Sequence, residues 1–385
     1  MSQSFDVVVV GGGIVGMSVA IAMSQRDFSV ALIDAGALTV DTSVPDARVY
    51  AINHASQSLL QRLGVWSLID EVRASPYEHM HVWDSLNGSH IDFDARMQGM
   101  SRLGTIMEES VLKEALLQQL SRERIVMFPH SRVVDVQTLP DGIRISDGVH
   151  AWQANLLIVA DGATSVTRQL LGVPVTSWPY HQHAIVTNVH TEQSHQHTAY
   201  QVFNPDGPLA FLPLADMHQC SIVWSTRPAR ADAMMELSDD AFNQELREAF
   251  ACKLGECHVV GERYRFPLHM RHAKRYSGPR WLLMGDAAHT IHPLAGLGLN
   301  VGLADVTAWL THLGVHKQQA WSNKTLGAYQ RQRKHEVWQA IALMETLKTI
   351  FNQPLSPLVT LRGLGLQACD HLLPLKRWFI RQAAG

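Results

Sequence analysis

The sequence predicts an α/β fold in which a buried parallel sheet is interrupted by an antiparallel sheet and followed by a helical tail. Residues 5–10 form a valine-rich run that stops at three glycines, as in a strand covered on both faces. Residues 14–24 then place apolar side chains at helical spacing, and residues 28–33 return to a strand pattern, which gives the order β-α-β. Segments 184–190 and 219–226 alternate instead, which is typical of antiparallel strands.

Weaker patterns predict the elements between these segments. Residues 54–70 and 110–121 each carry an apolar helical face. Residues 131–148 fit two short strands around a Pro-Asp-Gly turn, and residues 152–160 and 281–285 fit buried strands. A glycine-rich stretch and a further helix follow the last of these strands. We therefore expect the chain to return to the first lobe after the antiparallel segment.

Length and composition limit the class of protein. The 385 residues exceed the length of a typical single domain, so two lobes sharing one ligand are expected. Apolar residues make up 46% and charged residues 17%, which is enough for a large core and excludes a disordered chain. The net charge of −3 excludes a generally basic nucleic-acid binder, because phosphate contacts need a surplus of Lys and Arg.

Cysteine usage and hydropathy predict the location. The four cysteines form no Cys-x-x-Cys pair and are too few for a disulfide framework in a chain of this length. No stretch approaches the ~18 uninterrupted apolar residues of a membrane span. We therefore expect a cytoplasmic protein, either free or peripheral on the inner face of the membrane.

A glycine-rich turn after the first strand carries the dinucleotide fingerprint G-x-G-x-x-G. Its first glycine permits the tight turn, the second lets the backbone approach a pyrophosphate, and the third lets the helix pack on the strand. Asp34 ends the next strand, where a carboxylate can hold a ribose hydroxyl. A turn without a ligand is the weaker alternative, because strand, spacing and acid occur together. The predicted contacts here are Gly11, Gly13, Ile14, Val15, Gly16 and Asp34.

Two further motifs distinguish FAD from NAD. Residues 161–168, Asp-Gly-Ala-Thr-Ser-Val-Thr-Arg, and residues 285–289, Gly-Asp-Ala-Ala-His, resemble the DG and GD motifs of the FAD-dependent class A aromatic monooxygenases. The resemblance covers nearly the whole chain. It implies a Rossmann-like FAD-binding domain with an inserted antiparallel-sheet substrate domain and a helical C-terminal tail. The implied boundaries are 1–75, 106–175 and 273–335 for the FAD-binding domain, 76–105 and 176–272 for the substrate domain, and 336–385 for the helical region.

Further stretches resemble the flavin hydroxylases of ubiquinone biosynthesis, which hydroxylate polyprenylated phenols. These stretches are 48–53, 63–66, 207–214, 220–224 and 285–296, and the last is the most specific. Within that group the likeness is greatest to the branch acting on 2-polyprenylphenol at ring position 5. The resemblance implies FAD, NAD(P)H as a transient reductant, and O₂ as co-substrate, with a flavin C4a-hydroperoxide transferring the hydroxyl group to the ring.

The resemblance also assigns roles to individual residues. Asp286 would accept a hydrogen bond from a ribityl hydroxyl, and the backbone of residues 293–300 would lie against the flavin. Asp161 and Arg168 would lie near the pyrophosphate and the reductant, and Arg48 would contact the cofactor; each arginine is alternatively an ordinary surface residue. The other predicted contacts are Gly285, Pro293, Gly296, Gly298, Leu299 and Asn300. The flavin performs the chemistry, and His289, Pro293 and Leu297 are candidates for positions next to it.

Two residues depart from the family pattern. Leu297 stands where the family usually has glutamine, and Val159 stands where it usually has glycine. Leu297 cannot make the side-chain hydrogen bond of a glutamine, whereas backbone contacts to the flavin can persist. We therefore still expect flavin binding, with altered reactivity towards oxygen or an altered substrate position.

Aromatic and apolar residues of the antiparallel segment are candidates for the substrate pocket. They are Phe211, Pro213, Leu214 and Trp224, although aromatic residues on alternating strands are more often plain core. Several histidines occur between residues 181 and 197 but lack carboxylate or cysteine ligands at a recognised spacing. We expect no metal site.

The C-terminal region combines apolar and basic residues. Residues 337–351 carry an apolar helical face, and residues 372–381 place Leu, Trp, Phe and Ile among basic side chains. Such a pattern suits a membrane surface, where a polyprenylated substrate resides, and it equally suits packing on the protein itself or a homo-oligomer interface. Two other functions also stay open. One is hydroxylation of a small soluble aromatic acid, and the other is a non-catalytic FAD-bound subunit of a biosynthetic complex.

Overall fold

The computed structural model describes residues 3–291 and 297–352, and the structural statements below refer to these ranges. Pro293, Gly296 and the predicted membrane segment 372–381 lie outside them. Within the described ranges, no helix is both long enough and apolar enough to cross a membrane.

The first lobe is built on a largely parallel sheet. Its strands are β1 (Gln3–Val10), β2 (Val30–Ile33), β8 (Ile125–Phe128), β9 (Asp135–Thr138), β10 (Ile143–Ser146), β11 (Ala151–Val159), β17 (Ser277–Gly278) and β18 (Trp281–Leu283). β1 lies between β11 and β2 and runs parallel to both, and β18 adds to β11 in the same direction. Because β1 is central and covered on both faces, its second half is fully buried, as the valine-rich run predicted.

The second lobe is built on a mainly antiparallel sheet. Its strands are β5 (His79–Asp84), β6 (His90–Asp94), β12 (Val175–Thr191), β13 (Thr198–Asn204), β14 (Gly207–Pro213), β15 (Gln219–Thr226), β16 (Cys257–Ala273) and β19 (His289–Thr290). The spatial order is β19-β16-β12-β15-β14-β13-β5-β6. Neighbouring strands are antiparallel except β13 and β5, which run parallel. The predicted antiparallel sheet is therefore confirmed with one exception, and that exception arises because β5 enters from an earlier part of the chain.

A small third sheet connects the two lobes. It contains β3 (Val49–Ile52), β4 (Ala74–Tyr77) and β7 (Gly104–Glu108), with β7 in the middle and antiparallel to both neighbours. Leu212 of the second sheet packs against Ala51 and Ile106 of the third sheet in one apolar cluster. The third sheet therefore holds the substrate lobe beside the first lobe.

Helices cover the sheets. They are α1 (Ile14–Ser24), α2 (His54–Arg62), α3 (Glu109–Leu120), α4 (Val166–Leu170), α5 (Pro228–Met235), α6 (Asp239–Ala249), α7 (Leu297–His312) and α8 (Asn323–Asn352). The helix predicted over 54–70 is too long, because α2 ends at Arg62 and Gly64 follows with a φ of 76°. Such a left-handed residue ends a helix at low cost only when it is glycine. The parallel lobe, the inserted sheet and the helical C-terminal region predicted from the sequence are all present.

The apolar face of α8 packs on the protein. Val337 and Ile341 are buried in the core of the first lobe. Met344 and Phe351 are buried against the second sheet, where the ring of Phe351 stacks on Phe203 with 3.9 Å between centroids. Among the alternatives for this face, the structure therefore favours packing on the protein's own lobes over a membrane surface.

A buried histidine makes the stability of the fold depend on pH. His272 on β16 is 2% exposed, packs against Tyr276 and Trp338, and its Nε2 atom has no hydrogen-bond partner among the described residues. Burial, and then the charge of Lys334, lower the pKa of His272 to about 4. In the unfolded chain the same imidazole takes up a proton near its ordinary pKa of 6.5. The unfolded state therefore binds more protons than the folded state between these two values.

We expect the free energy of unfolding to fall by about 2 kcal/mol through His272 alone as the pH drops from 7.5 to 5. The variant His272→Phe should show a smaller loss over this range, as measured by urea denaturation at each pH. The exposed His258, which forms no ion pair within the described residues, provides the matched control, and His258→Phe should keep the wild-type pH dependence. Equal pH dependence in His272→Phe and wild type would contradict the assignment.

Candidate active site

One large cavity lies between the two lobes. Its volume is about 630 Å³, and it is lined by loops of the first lobe on one side and by the second sheet on the other. Gly13 follows β1, Gly162 follows β11 and Gly285 follows β18, so the carboxyl ends of three parallel strands meet at the cavity. In α/β sheets this edge is where ligands bind.

The glycine turn after β1 is closely packed against backbone at Gly11 and Gly16, and it has open space at Gly13. A Cβ atom on Gly11 would lie 2.2 Å from the carbonyl oxygen of Ala160, and one on Gly16 would lie 1.8 Å from that of Gly11. A Cβ atom on Gly13 would meet nothing within 4 Å. Gly13 is also the N-cap of α1 and provides no side-chain cap, so the first N–H groups of this helix are free for an anion.

The predicted ribose-binding acid stabilises this turn. The Asp34 carboxylate accepts hydrogen bonds from the backbone N–H groups of Gly12 and Gly36. It does not line the cavity, and neither do Gly11 and Gly16, whereas Gly13, Ile14 and Val15 do. The fingerprint residues thus divide into those that shape the turn and those that face the cavity.

The DG motif lies beside the cavity, with its arginine turned inwards. One carboxylate oxygen of Asp161 accepts from the N–H of Thr167 at 3.1 Å, and the other is buried with no partner among the described residues. Arg168 is 5% exposed and donates to the carbonyl oxygens of Ala287 and Ala163. Its guanidinium group therefore links the DG and GD loops. The alternative of an ordinary surface arginine is therefore wrong, and the role of Arg168 near the pyrophosphate and the reductant stays a prediction.

The GD motif presents its acid to the cavity. Asp286 lines the cavity, and the surrounding protein raises the pKa of its carboxyl group by desolvation, against the opposing charges of His289 and Arg48. Gly285 precedes it with a φ of 56°, in the left-handed region that glycine adopts at low cost. His289 also lines the cavity, and its Nε2 atom lies 2.8 Å from a carboxylate oxygen of Asp305.

Asp305 is a site residue that the sequence motifs did not identify. Its side chain is fully buried on α7, and one carboxylate oxygen accepts from the N–H of Gly285 at 2.7 Å as well as contacting His289. The other oxygen accepts from Nε of Arg333 on α8 at 2.6 Å. The neighbouring positive charges lower the pKa of Asp305 although burial opposes this. A single acid inside the otherwise apolar run of α7 was the available signal.

Arg48 lines the cavity within a small ionic cluster. Its Nε atom lies 3.3 Å from the carboxylate of Glu109, which also accepts from the hydroxyl of Tyr50 and pairs with Lys113 at 2.6 Å. All four residues line the cavity. One carboxylate thus orders two cations and a phenol at the edge of the cavity.

The start of α7 forms a further part of the wall. Gly298 and Leu299 line the cavity, as predicted for cofactor contacts. Asn300 instead donates to the carbonyl oxygen of Ala51 at 2.7 Å and accepts from the N–H of Asn53 at 3.1 Å. It therefore fixes α7 to the third sheet. Leu297 is the first residue of α7, and its side chain lies outside the described part of the structure.

The second sheet lines the cavity with different residues from those predicted. Phe211 and Trp224 belong to a separate core on the opposite face of the sheet, where α5 and α6 cover it. Pro213 and Leu214 do not line the cavity either. Because side chains alternate along a strand, the cavity is lined instead by their neighbours Ala210, Leu212, Val223 and Ser225. The strands were identified correctly, and for Phe211 and Trp224 the alternative of plain core is confirmed.

The arrangement fits FAD. An uncapped helix N-terminus and an open glycine suit a pyrophosphate, and the unpaired oxygen of Asp161 and the carboxylate of Asp286 suit ribityl or phosphate-bridging hydroxyl groups. When bound there, FAD supplies the redox and oxygen chemistry.

Comparisons with known proteins agree with this reading. The FAD binding domain family matches residues 4–344. The 3-demethoxyubiquinol 3-hydroxylase of Escherichia coli is 35% identical, covering 100% of this chain and 99% of that protein. The ubiquinone hydroxylase UbiL of Rhodospirillum rubrum is 32% identical, covering 99% of this chain and 89% of that protein.

A solved structure shows the same fold. The p-nitrophenol 4-monooxygenase PnpA of Pseudomonas putida superposes with a TM-score of 0.81 at 20% sequence identity, covering 100% of this chain and 99% of that one. At this identity the likeness establishes the architecture of the two lobes.

Substitutions at two glycines should separate cofactor binding from folding. Gly13→Ala places a methyl group in open space, so the apoprotein should fold with an unchanged melting temperature. The same methyl group obstructs the approach of a pyrophosphate, and we expect FAD to bind at least tenfold more weakly in a flavin-fluorescence titration. In Gly16→Ala the methyl group meets the backbone of Gly11, so folding itself should be impaired. Unchanged FAD affinity in Gly13→Ala would place the pyrophosphate elsewhere.

Proposed function

This chain belongs to the FAD-dependent hydroxylases of ubiquinone biosynthesis, and we propose that its substrate is a polyprenylated phenol whose aromatic ring it hydroxylates. The observation that carries the proposal is the asymmetry of the cavity. Charged groups and glycine loops line it on the side of the first lobe, whereas the residues of β5 and β12–β15 that line it are uncharged. An electron-rich ring with an apolar tail matches this second wall.

A small aromatic acid fits the cavity less well. Such a substrate needs a cation at the end of the ring that is remote from the flavin. Within the described residues, the arginine and lysine side chains lining the cavity are those of Arg48, Lys113 and Arg271. Arg48 and Arg271 lie with the cofactor loops, and Lys113 shares the carboxylate of Glu109 with Arg48. Arg48 is paired with Glu109, and Arg271 lies on β16 opposite Thr290 of the GD region. The apolar sheet wall therefore favours the prenylated substrate.

The residues of this chain have three tasks in the reaction. Gly13 and the N-terminus of α1 would hold the pyrophosphate, and Asp286 would accept a hydrogen bond from the ribityl chain. The apolar wall around Leu212 and Val223 keeps water away from the reacting ring, which protects a reactive oxygen species from unproductive loss. His289, held by Asp305, keeps one fixed orientation at the cavity edge.

The purified holoenzyme provides the test. NADPH oxidation in air should accelerate when a short-chain 2-prenylphenol or a demethoxyubiquinol analogue is added, and mass spectrometry should find the product heavier by one oxygen atom. The better of the two substrates identifies the ring position. A soluble hydroxybenzoate is the control and should leave the rate unchanged.

Two results would overturn the proposal. Stimulation by the hydroxybenzoate alone would assign the enzyme to soluble aromatic acids. Retained FAD with no NADPH oxidation under any condition would indicate a non-catalytic subunit, for which the substitution at Leu297 is the available explanation.

We also propose that the basic apolar segment 372–381 binds the membrane surface from which the substrate is taken. Its tryptophan, phenylalanine and leucine side chains would enter the headgroup region while its lysine and arginines contact anionic lipids. Removing residues 370–385 should lower sedimentation with anionic liposomes at least several-fold and leave the FAD content unchanged. Removing only residues 382–385 is the control and should have little effect. Equal liposome binding by both truncated proteins and wild type would exclude this role.

A further inference from the structure

The cavity-facing side of the second sheet carries one carboxamide. Gln201 lies on β13 and lines the cavity, yet the residue as a whole is only 6% exposed. Its side chain makes no hydrogen bond to any part of the protein that the structure describes. The residue contacts solvent only through the cavity, and a ligand that fills the cavity displaces this water from the amide, which is unfavourable unless the ligand supplies a hydrogen-bond partner.

The surroundings of Gln201 leave room for a flat ring. Ala199 lies two residues earlier on the same face of β13, and Ala210 lies opposite Gln201 on β14. Both small side chains line the cavity beside the carboxamide. The next cavity-facing residue on β14 is Leu212, which packs against the third sheet, whose strand β3 begins directly after Arg48. A ring that packs on the two alanines would therefore place one edge next to the carboxamide of Gln201. Its opposite edge would point towards the cofactor side of the cavity.

The chemistry of the carboxamide selects its partner. Its Nε2 group donates and its Oε1 atom accepts, so it can satisfy a hydroxyl group, which does both. Five hydroxyl groups also line the cavity, on Tyr50, Tyr77, Tyr200, Ser225 and Thr290. Tyr50 donates to Glu109, Tyr200 bonds to Thr198, and Thr290 lies in the GD region opposite Arg271. Ser225 and Tyr77 make no side-chain hydrogen bond within the described ranges and are the remaining competitors of Gln201. Tyr77 is only partly buried, and Ser225 lies opposite Pro208, further along the sheet from Leu212 than Gln201 is. Gln201 is thus the best placed of the three to meet a ring substituent.

We propose that Gln201 is the specificity-determining residue that binds the ring hydroxyl group of the phenol. The inference rests on the proposed function, because it takes a prenylated phenol as the ligand of this cavity. A site with a buried amide discriminates strongly against an analogue that leaves the amide unpaired. Gln201 orients the ring and takes no part in the redox chemistry.

The test measures binding to the oxidised holoenzyme rather than turnover. The probes are 2-prenylphenol and prenylbenzene, which differ only in the hydroxyl group, and the readout is the change in flavin absorbance on titration. Wild type should bind the phenol about tenfold more tightly than prenylbenzene. Gln201→Leu keeps the side-chain volume and removes the polar group. This variant should bind the phenol and prenylbenzene with about equal affinity. Flavin content and melting temperature should stay at the wild-type values.

Three comparator variants and the wild-type titration decide the outcome. Ser225→Ala and Tyr77→Phe remove the two competing hydroxyl groups. Gln244→Leu, at an exposed helix position, controls for the loss of an amide. All three variants should keep the preference. Retained preference in Gln201→Leu, or its loss in Ser225→Ala or Tyr77→Phe instead, would overturn the assignment while the phenol stays the ligand. If wild type binds the phenol no better than prenylbenzene, the inference fails and the proposed function stands. If wild type binds neither probe, the proposed function fails and the inference falls with it.

Discussion

The site depends on one buried carboxylate. Asp305 is fully enclosed, and an unpaired charge in such a place would cost several kcal/mol. It is compensated by the guanidinium of Arg333, by His289 and by the backbone N–H of Gly285. These partners belong to α8, to β19 and to the turn that ends β18. One anion therefore fixes the loop that presents Asp286, the histidine at the cavity edge and the long C-terminal helix relative to one another.

The chain order explains why so many distant segments meet there. Strands β12–β16 of the second sheet are inserted between β11 and β18, which are nonetheless adjacent and parallel in the first sheet. The DG loop therefore follows β11 and the GD loop follows β18, side by side despite the long insertion. Arg168 reinforces this contact by donating to carbonyl groups of both loops. A parallel sheet that resumes after an insertion thus places the inserted lobe directly over its own ligand-binding edge.

Much of the first lobe and of its ligand-binding edge could be predicted from the sequence. The valine-rich strand, the glycine spacing and the DG and GD motifs identified the first lobe and its ligand-binding edge, because tight turns leave few alternatives to glycine. The bonds of Arg168 to the carbonyl groups of Ala163 and Ala287 were not predicted, since a motif gives no information on which way a long side chain turns. Asp305 and Arg333 were missed because their pairing joins residues 28 positions apart on two helices. Local patterns do not record such a contact.

The error in the substrate lobe has a different physical origin. Both faces of β14 and β15 are apolar, one because it packs on α5 and α6 and the other because it faces the cavity. Hydrophobicity therefore cannot distinguish them, and the largest residues, Phe211 and Trp224, were the natural choice. Size distinguishes them instead: a packed core fills its space with large side chains, whereas a ligand cavity must keep its own wall small, as with Ala210 and Val223. On such a sheet, small residues at every second position are the better indicator of the ligand-binding face.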